Sequence, residues 1–201
     1  MIILTSNGLS TEKLLNEVRK YTSPNTRAAI VTTASVGYKE KDWHIPRLTN
    51  ELEQICQNVT CVDIEFDDPQ VLLQYDLVEI IGGNPFYLLK QLRTQGAEAV
   101  LGEIAEHKIL VGISAGSAVL QNTINLIAQY SPEMNGDVQL TDLSGLSLTD
   151  IEILPHYQRY QSRFDRFEER AKEYERENNC TLIRLNDGEA IFLSDAGPYK
   201  V

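Results

Sequence analysis

Cysteine, histidine and basic residues are all scarce in this 201-residue chain. Cys56, Cys61 and Cys180 are odd in number and sit in apolar strand-like or helix-end contexts. They read as reduced packing residues of a cytoplasmic protein, not as a disulfide framework. Cys56 and Cys61 have neither a second cysteine pair nor a nearby histidine, so the pattern of a zinc site is missing and no metal is expected. Lys plus Arg number 18 against 29 Asp plus Glu, a net charge of −11, which argues against a nucleic-acid or anionic-membrane partner. No segment approaches the ~18 uninterrupted apolar residues of a membrane span. The start, Met1-Ile2-Ile3-Leu4-Thr5, turns polar at once and lacks a basic leader, so no signal peptide is expected. Neither G-x-x-x-x-G-K nor G-x-G-x-x-G occurs, which removes the common phosphate loops, and no cofactor is expected. Internal repeats, low-complexity tracts and Pro/Gly/Ser-rich linkers are also missing, so one domain over residues 1–201 is expected, as a monomer or homodimer.

What the chain does contain is 42% hydrophobic and 23% charged residues, the balance of a folded globular protein. A chain of this length buries roughly 70% of its unfolded surface without staples. Short apolar runs at 1–5, 28–33, 59–64, 77–81, 109–113, 151–154, 180–185 and 189–193 alternate with amphipathic stretches. The runs are too short and continuous for surface helices and fit strands covered on both faces. Helical spacing marks 11–21, 42–57, 85–95 and 97–107. Asp68-Pro69 and Asn84-Pro85 read as an N-cap followed by proline at the first helical position. This alternation predicts an α/β fold, a mostly parallel sheet with helices on both faces, ending in a C-terminal β-hairpin of 181–185 with 189–193. Functional residues are then expected at the carboxyl ends of the strands.

Three features fall there. Gly112-Ile113-Ser114-Ala115-Gly116 follows the run Ile109-Leu110-Val111 and precedes an apolar helix start, matching G-x-S-x-G in its strand–turn–helix context. A strained turn there raises the serine hydroxyl above the sheet, and the helix's amino end favours developing negative charge. A glycine-rich turn with a capping serine would give similar letters. Gly82-Gly83-Asn84-Pro85 follows another strand, and paired glycines there expose backbone N–H groups able to bind an oxyanion. A plain helix start explains Asn84 and Pro85 but not both glycines. Ile153-Leu154-Pro155-His156-Tyr157 places a histidine just past a third strand. Of the other two, His44 lies in a polar-rich segment beside Trp43, and His107 suits a helix C-terminus. A serine–histidine pair usually needs an acid to fix the imidazole tautomer, and Asp187 and Glu189 at the turn Asn186-Asp187-Gly188-Glu189 compete for that role. Residue pattern alone does not separate them.

These elements resemble the peptidase E (aspartyl dipeptidase) and cyanophycinase family of serine peptidases. The resemblance rests on Gly82-Gly83-Asn84, on Gly112-Ile113-Ser114-Ala115-Gly116, on Gly145-Leu146-Ser147-Leu148 with Pro155-His156-Tyr157, and on Leu185-Asn186-Asp187-Gly188. It implies a fold like the class I glutamine amidotransferases, Ser114 as nucleophile, His156 as general base and Asp187 as third member. It further implies oxyanion donors at the Gly83 and Ala115 N–H groups, substrate contacts at Asn84 and Arg163, and cleavage of short peptides, with N-terminal aspartyl dipeptides as the family's substrates. For Arg163 a solvated helix-start arginine is the competing reading, since Phe164, Phe167, Ala171 and Tyr174 form an apolar helical stripe, the Arg and Glu residues between them read as a solvated face, and Ser162 with Asp165 resembles a cap at the helix's start. A ligand-binding relative without turnover is the alternative function. An amidase of the glutamine amidotransferase type would need a cysteine where Ser114 stands, and an α/β-hydrolase esterase would need its acid before the histidine. Residues 121–150 offer turns at Ser131-Pro132 and Asn135-Gly136 that could lie over the site.

Overall fold

Apolar runs without helical period become strands here, and the amphipathic stretches between them become helices. The computed structural model describes residues 1–194 and 196–201. In chain order, β1 (Ile2–Thr5), α1 (Glu12–Arg19), β2 (Arg27–Val31), α2 (Ile45–Glu53), β3 (Asn58–Val62), β4 (Leu77–Ile80), α3 (Pro85–Thr94), α4 (Ala97–His107), β5 (Ile109–Ile113) and α5 (Ala115–Leu120) form the larger part. Then follow α6 (Asn125–Tyr130), β6 (Glu152–Leu154), α7 (Tyr157–Gln161), α8 (Phe167–Asn178), β7 (Leu182–Arg184), β8 (Ala190–Ser194) and β9 (Gly197–Lys200). Short 3₁₀ turns occupy Lys39–Lys41, Pro69–Gln74 and Pro132–Asn135. Thr11 and Asn84 cap α1 and α3 by accepting backbone N–H groups, whereas the Asp68 cap opens a 3₁₀ turn in place of an α-helix.

The central sheet runs β3-β2-β4-β5-β1-β8-β9. The pairs from β3 to β1 are parallel, and β8 and β9 add antiparallel strands beyond β1. β1, β4 and β5 are buried along their whole length, so both faces of the sheet's centre are covered. β3, at the edge, alternates between half-buried and exposed.

The expected hairpin of 181–185 with 189–193 does not form. β7 instead pairs in parallel with β6 as a separate two-stranded sheet, and β8 pairs with β1 and β9. Asp187-Gly188 does form a tight turn, closed by the Glu189 N–H to the Asn186 carbonyl at 3.1 Å, but it joins strands of two different sheets; the Gly188 N–H donates to Asn7 Oδ1 at 2.8 Å, and Asp187 reaches His156. The helix-start cap at Ser162 and Asp165 is also not made. α8 begins at Phe167 after Arg166 in the left-handed region, and the Ser162 hydroxyl donates back to the Arg159 carbonyl. The apolar stripe does bury Phe167, Ala171 and Tyr174, which join Leu126, Tyr130, Leu154 and Leu182 in a second, smaller core beside the main one.

Candidate active site

Strand register assembles the site. β5 lies between β4 and β1, with Thr5 opposite Ile113 and Ile80 opposite Gly112. The residues just beyond these strands, Ser6, Gly82-Gly83 and Ser114, therefore emerge side by side at the carboxyl edge. The Ser114 N–H donates to the Thr5 carbonyl at 3.0 Å, and buried Ser117 ties the turn to β1 by accepting the Thr5 N–H at 3.1 Å and donating to Gly112 O at 2.7 Å.

Ser114 itself is strained, with φ 49° and ψ −102°, a conformation that costs an L residue roughly 1–3 kcal/mol and turns its hydroxyl out of the sheet. The turn tolerates no larger residue at Gly116, where a Cβ would stand 2.1 Å from the Ile80 carbonyl oxygen. Gly83 is constrained in the same way: its φ is +145° and a Cβ would stand 2.3 Å from the Ala34 carbonyl oxygen. The Gly83 N–H has no hydrogen-bond partner among the described residues. Ala115, first residue of α5, presents an N–H without an intrahelical acceptor.

The second sheet delivers the remaining groups. β6 and β7 pair in register with Leu154 opposite Arg184, and the Tyr157 N–H donates to Leu185 O at 3.0 Å. Two residues past β6 and three past β7, His156 and Asp187 meet. His156 Nδ1 lies 2.6 Å from Asp187 Oδ1, and His156 Nε2 lies 3.1 Å from Ser114 Oγ. Geometry thus separates the competing acids: Glu189 accepts the Asn186 N–H at 2.8 Å and pairs with Lys200 at 2.8 Å, away from the imidazole. His156 is itself left-handed, at φ 56°, and is 8% exposed. Burial lowers its imidazole below the ordinary histidine value, and the Asp187 carboxylate only partly offsets this. For Asp187 burial acts upward, but hydrogen bonds from Ser6 and His156 outweigh it and hold the carboxyl below its usual range.

Ser6 escapes notice in the sequence. Completely buried at the end of β1, it accepts the His156 backbone N–H at 2.8 Å and donates to Asp187 Oδ1 at 2.6 Å. Its only available signal was its position directly past a central strand. Tyr160 was also missed; its ring centroid lies 5.1 Å from that of His156. Asn84, expected to touch substrate, has both ends of its amide engaged. Oδ1 accepts the Phe86 and Tyr87 N–H groups at 3.0 Å, and Nδ2 donates to the Met134 carbonyl at 2.7 Å. Arg163 is exposed and lays its guanidinium over the Tyr160 and Phe164 rings at 5.5 and 5.3 Å. Arg159 stands nearer, 3.7 Å from Asp187 Oδ2. No group of three or more His, Cys, Asp or Glu among the described residues is placed to hold a metal ion. No helix among them is long and apolar enough to cross a membrane.

The model of peptidase family S51 matches residues 2–198. The chain belongs to peptidase family S51. It is 30% identical over 161 residues to the uncharacterized peptidase Lmo0363 of Listeria monocytogenes serovar 1/2a, covering 78% of this chain and 77% of that one. It is 27% identical over 132 residues to a peptidase E of Shewanella baltica strain OS155, covering 65% of this chain and 54% of the relative. A crystal structure of a protein assigned as peptidase E from Listeria monocytogenes EGD-e superimposes with a TM-score of 0.76 at 24% identity, over 100% of this chain and 96% of that one. That likeness extends to the mostly parallel α/β fold and not beyond it. Membership of family S51 supports a peptidase.

Proposed function

We propose that this S51 peptidase is a serine-type enzyme that cleaves short peptides through Ser114, His156 and Asp187. The single observation carrying the reading is the continuous chain Ser114 Oγ, His156 Nε2, His156 Nδ1, Asp187 Oδ1, with contacts of 3.1 and 2.6 Å. A serine hydroxyl is a weak nucleophile until a base takes its proton, and the base must be held in the tautomer that leaves Nε2 free. Asp187 accepts a hydrogen bond from the Nδ1–H and so fixes that tautomer.

In the forward step Ser114 Oγ bonds to the peptide carbonyl carbon while its proton passes to His156 Nε2. The resulting oxyanion is stabilised by the Gly83 and Ala115 N–H groups. Collapse breaks the C–N bond, the Nε2 proton goes to the leaving amine, and an acyl ester remains on Ser114. Water, deprotonated by the same imidazole, reverses the sequence and frees the acid.

A fluorophosphonate probe tests this. The wild type is expected to take one label and to hydrolyse dipeptides; Ser114→Ala is expected to take none and to lose about 10⁴-fold or more in kcat. Retained hydrolysis in Ser114→Ala overturns the assignment. A wild type that is neither labelled nor active would instead be a ligand-binding relative.

A further inference from the structure

Two cavities meet at Ser114, and they differ in chemistry. One, of about 460 Å³, mixes apolar wall with polar and charged side chains and is the polar cavity of the two: Asn7, Asp42, His44, Arg47, Arg159 and the imidazole of His156 line it beside Val36, Leu48 and Ile81. The other, of about 190 Å³, is walled by Leu126, Tyr130, Met134, Leu154 and Phe164, with Ala115 and Gly83 at its rim. It falls below the roughly 300 Å³ at which pockets for drug-sized ligands begin, a size suited to one side chain.

The proton path assigns the sides. His156 must hand its proton to the leaving amine, so the leaving residue lies against His156, and His156 lines only the polar cavity. The residue whose carbonyl is attacked then extends the other way, past the Ala115 and Gly83 N–H groups, into the second cavity. We infer that this second cavity receives the side chain of the acyl-side residue and selects an apolar one. The inference rests on the serine-peptidase reading above.

The lining carries the chemistry. Among the described residues that line it, Arg163 alone is charged, at the exposed rim with its guanidinium over two aromatic rings. A carboxylate inside would trade hydration for contact with Leu126, Met134 and Leu154, whereas an aliphatic side chain would remove their surface from water. The wall is also held in place. Tyr130 Oη donates to the Phe167 carbonyl at 2.6 Å, and the Met134 carbonyl is bound by Asn84 at 2.7 Å. Asn84 thereby keys the 126–134 wall to the Gly82-Gly83 turn, which gives this stretch a function in substrate selection.

The test is kcat/KM for Leu-Ala, Ala-Ala, Asp-Ala and Ala-Leu, with fluorophosphonate labelling in parallel. Leu-Ala is expected to exceed Ala-Ala by roughly ten-fold or more, the size of discrimination a hydrophobic pocket achieves. In Met134→Trp, which fills the cavity from a half-buried position, the Leu-Ala to Ala-Ala ratio should fall toward one. Ile127→Trp makes the same test from a second half-buried wall position if Met134→Trp does not fold. Asp-Ala as the best substrate, a preference confined to Ala-Leu, or an unchanged ratio in both folded variants overturns the inference while the labelled serine keeps the peptidase reading. Absence of both turnover and labelling overturns the two together.

Discussion

Ser6 Oγ lies 2.6 Å from Asp187 Oδ1, joining the first strand of the chain to a loop 181 residues later. The same oxygen accepts the His156 backbone N–H at 2.8 Å, so one buried hydroxyl fixes both the acid and the left-handed backbone of the base. A hydrogen bond to a charged group contributes roughly 1.5–3 kcal/mol, enough to matter for how the imidazole is aimed.

Ser6→Ala is therefore expected to lower kcat about ten- to a hundred-fold with KM nearly unchanged, as a positioning residue should. Steady-state kinetics on any cleaved dipeptide reads the split. A fall confined to KM would mean that Ser6 acts on substrate and not through His156.

Asp187→Asn should cost far more activity than Glu189→Gln. The amide can donate to Nδ1 and favour the tautomer that puts the proton on Nε2, where Ser114 needs a base. Glu189 serves the Asn186 N–H and Lys200, so its loss is expected to reduce stability slightly and kcat less than about ten-fold. The reverse ranking would place the acid at Glu189.

Local pattern carried the elements and three of the site's segments, because strand ends and glycine turns are written in consecutive residues. The Gly112–Gly116 turn and the Asn84 cap were legible for that reason. Pairing was not. Thr181 to Leu185 alternates as a hairpin strand would, and Asp187-Gly188 is a common turn dipeptide, yet β7 joins β6 because the Leu185 N–H finds the Leu154 carbonyl at 3.0 Å. The choice between Asp187 and Glu189 depended on that pairing and became visible only with it. Ser6 and Asn7 were hidden for the same reason, since their partners lie some 150 to 181 residues away. The apolar cavity likewise draws on Ala115, Met134, Leu154 and Phe164, which no single window contains.

The acidic limb of kcat/KM should lie below pH 6.5, the ordinary imidazole value. The base must be neutral to accept the Ser114 proton, and burial holds the His156 imidazole below that value, so activity persists until the pH falls through the lowered one. Asp187 raises the imidazole against burial. In Asp187→Asn the residual activity should therefore show a limb at still lower pH. A wild-type limb above 6.5 would mean that His156 is not buried as described or is not the base.

One buried acid takes no part in the reaction. Glu79 points from the interior of β4 into the core, is 1% exposed, and neither carboxyl oxygen has a hydrogen-bond partner. Burial pushes its carboxyl up to about 8, the nearby charge of Glu51 adds to the rise, and Arg47, which is paired with Glu51, opposes it. Glu79 is thus a neutral acid in the folded protein at neutral pH. Its folded value lies above the unfolded carboxyl value near 4.5, so its contribution is complete below that pH and is lost as pH rises toward 8. The loss accumulates at roughly 1.4 kcal/mol per pH unit, because the unfolded state ionises first. Glu79→Gln removes the titration while keeping the shape, and any cost of the uncharged amide is the same at every pH. The Tm of Glu79→Gln minus that of the wild type should therefore grow from pH 5 to pH 8, by roughly 7–14 °C for a chain of this size. Thermal unfolding of both proteins across that range checks it, and a difference that stays flat would mean that Glu79 is ionised in the fold.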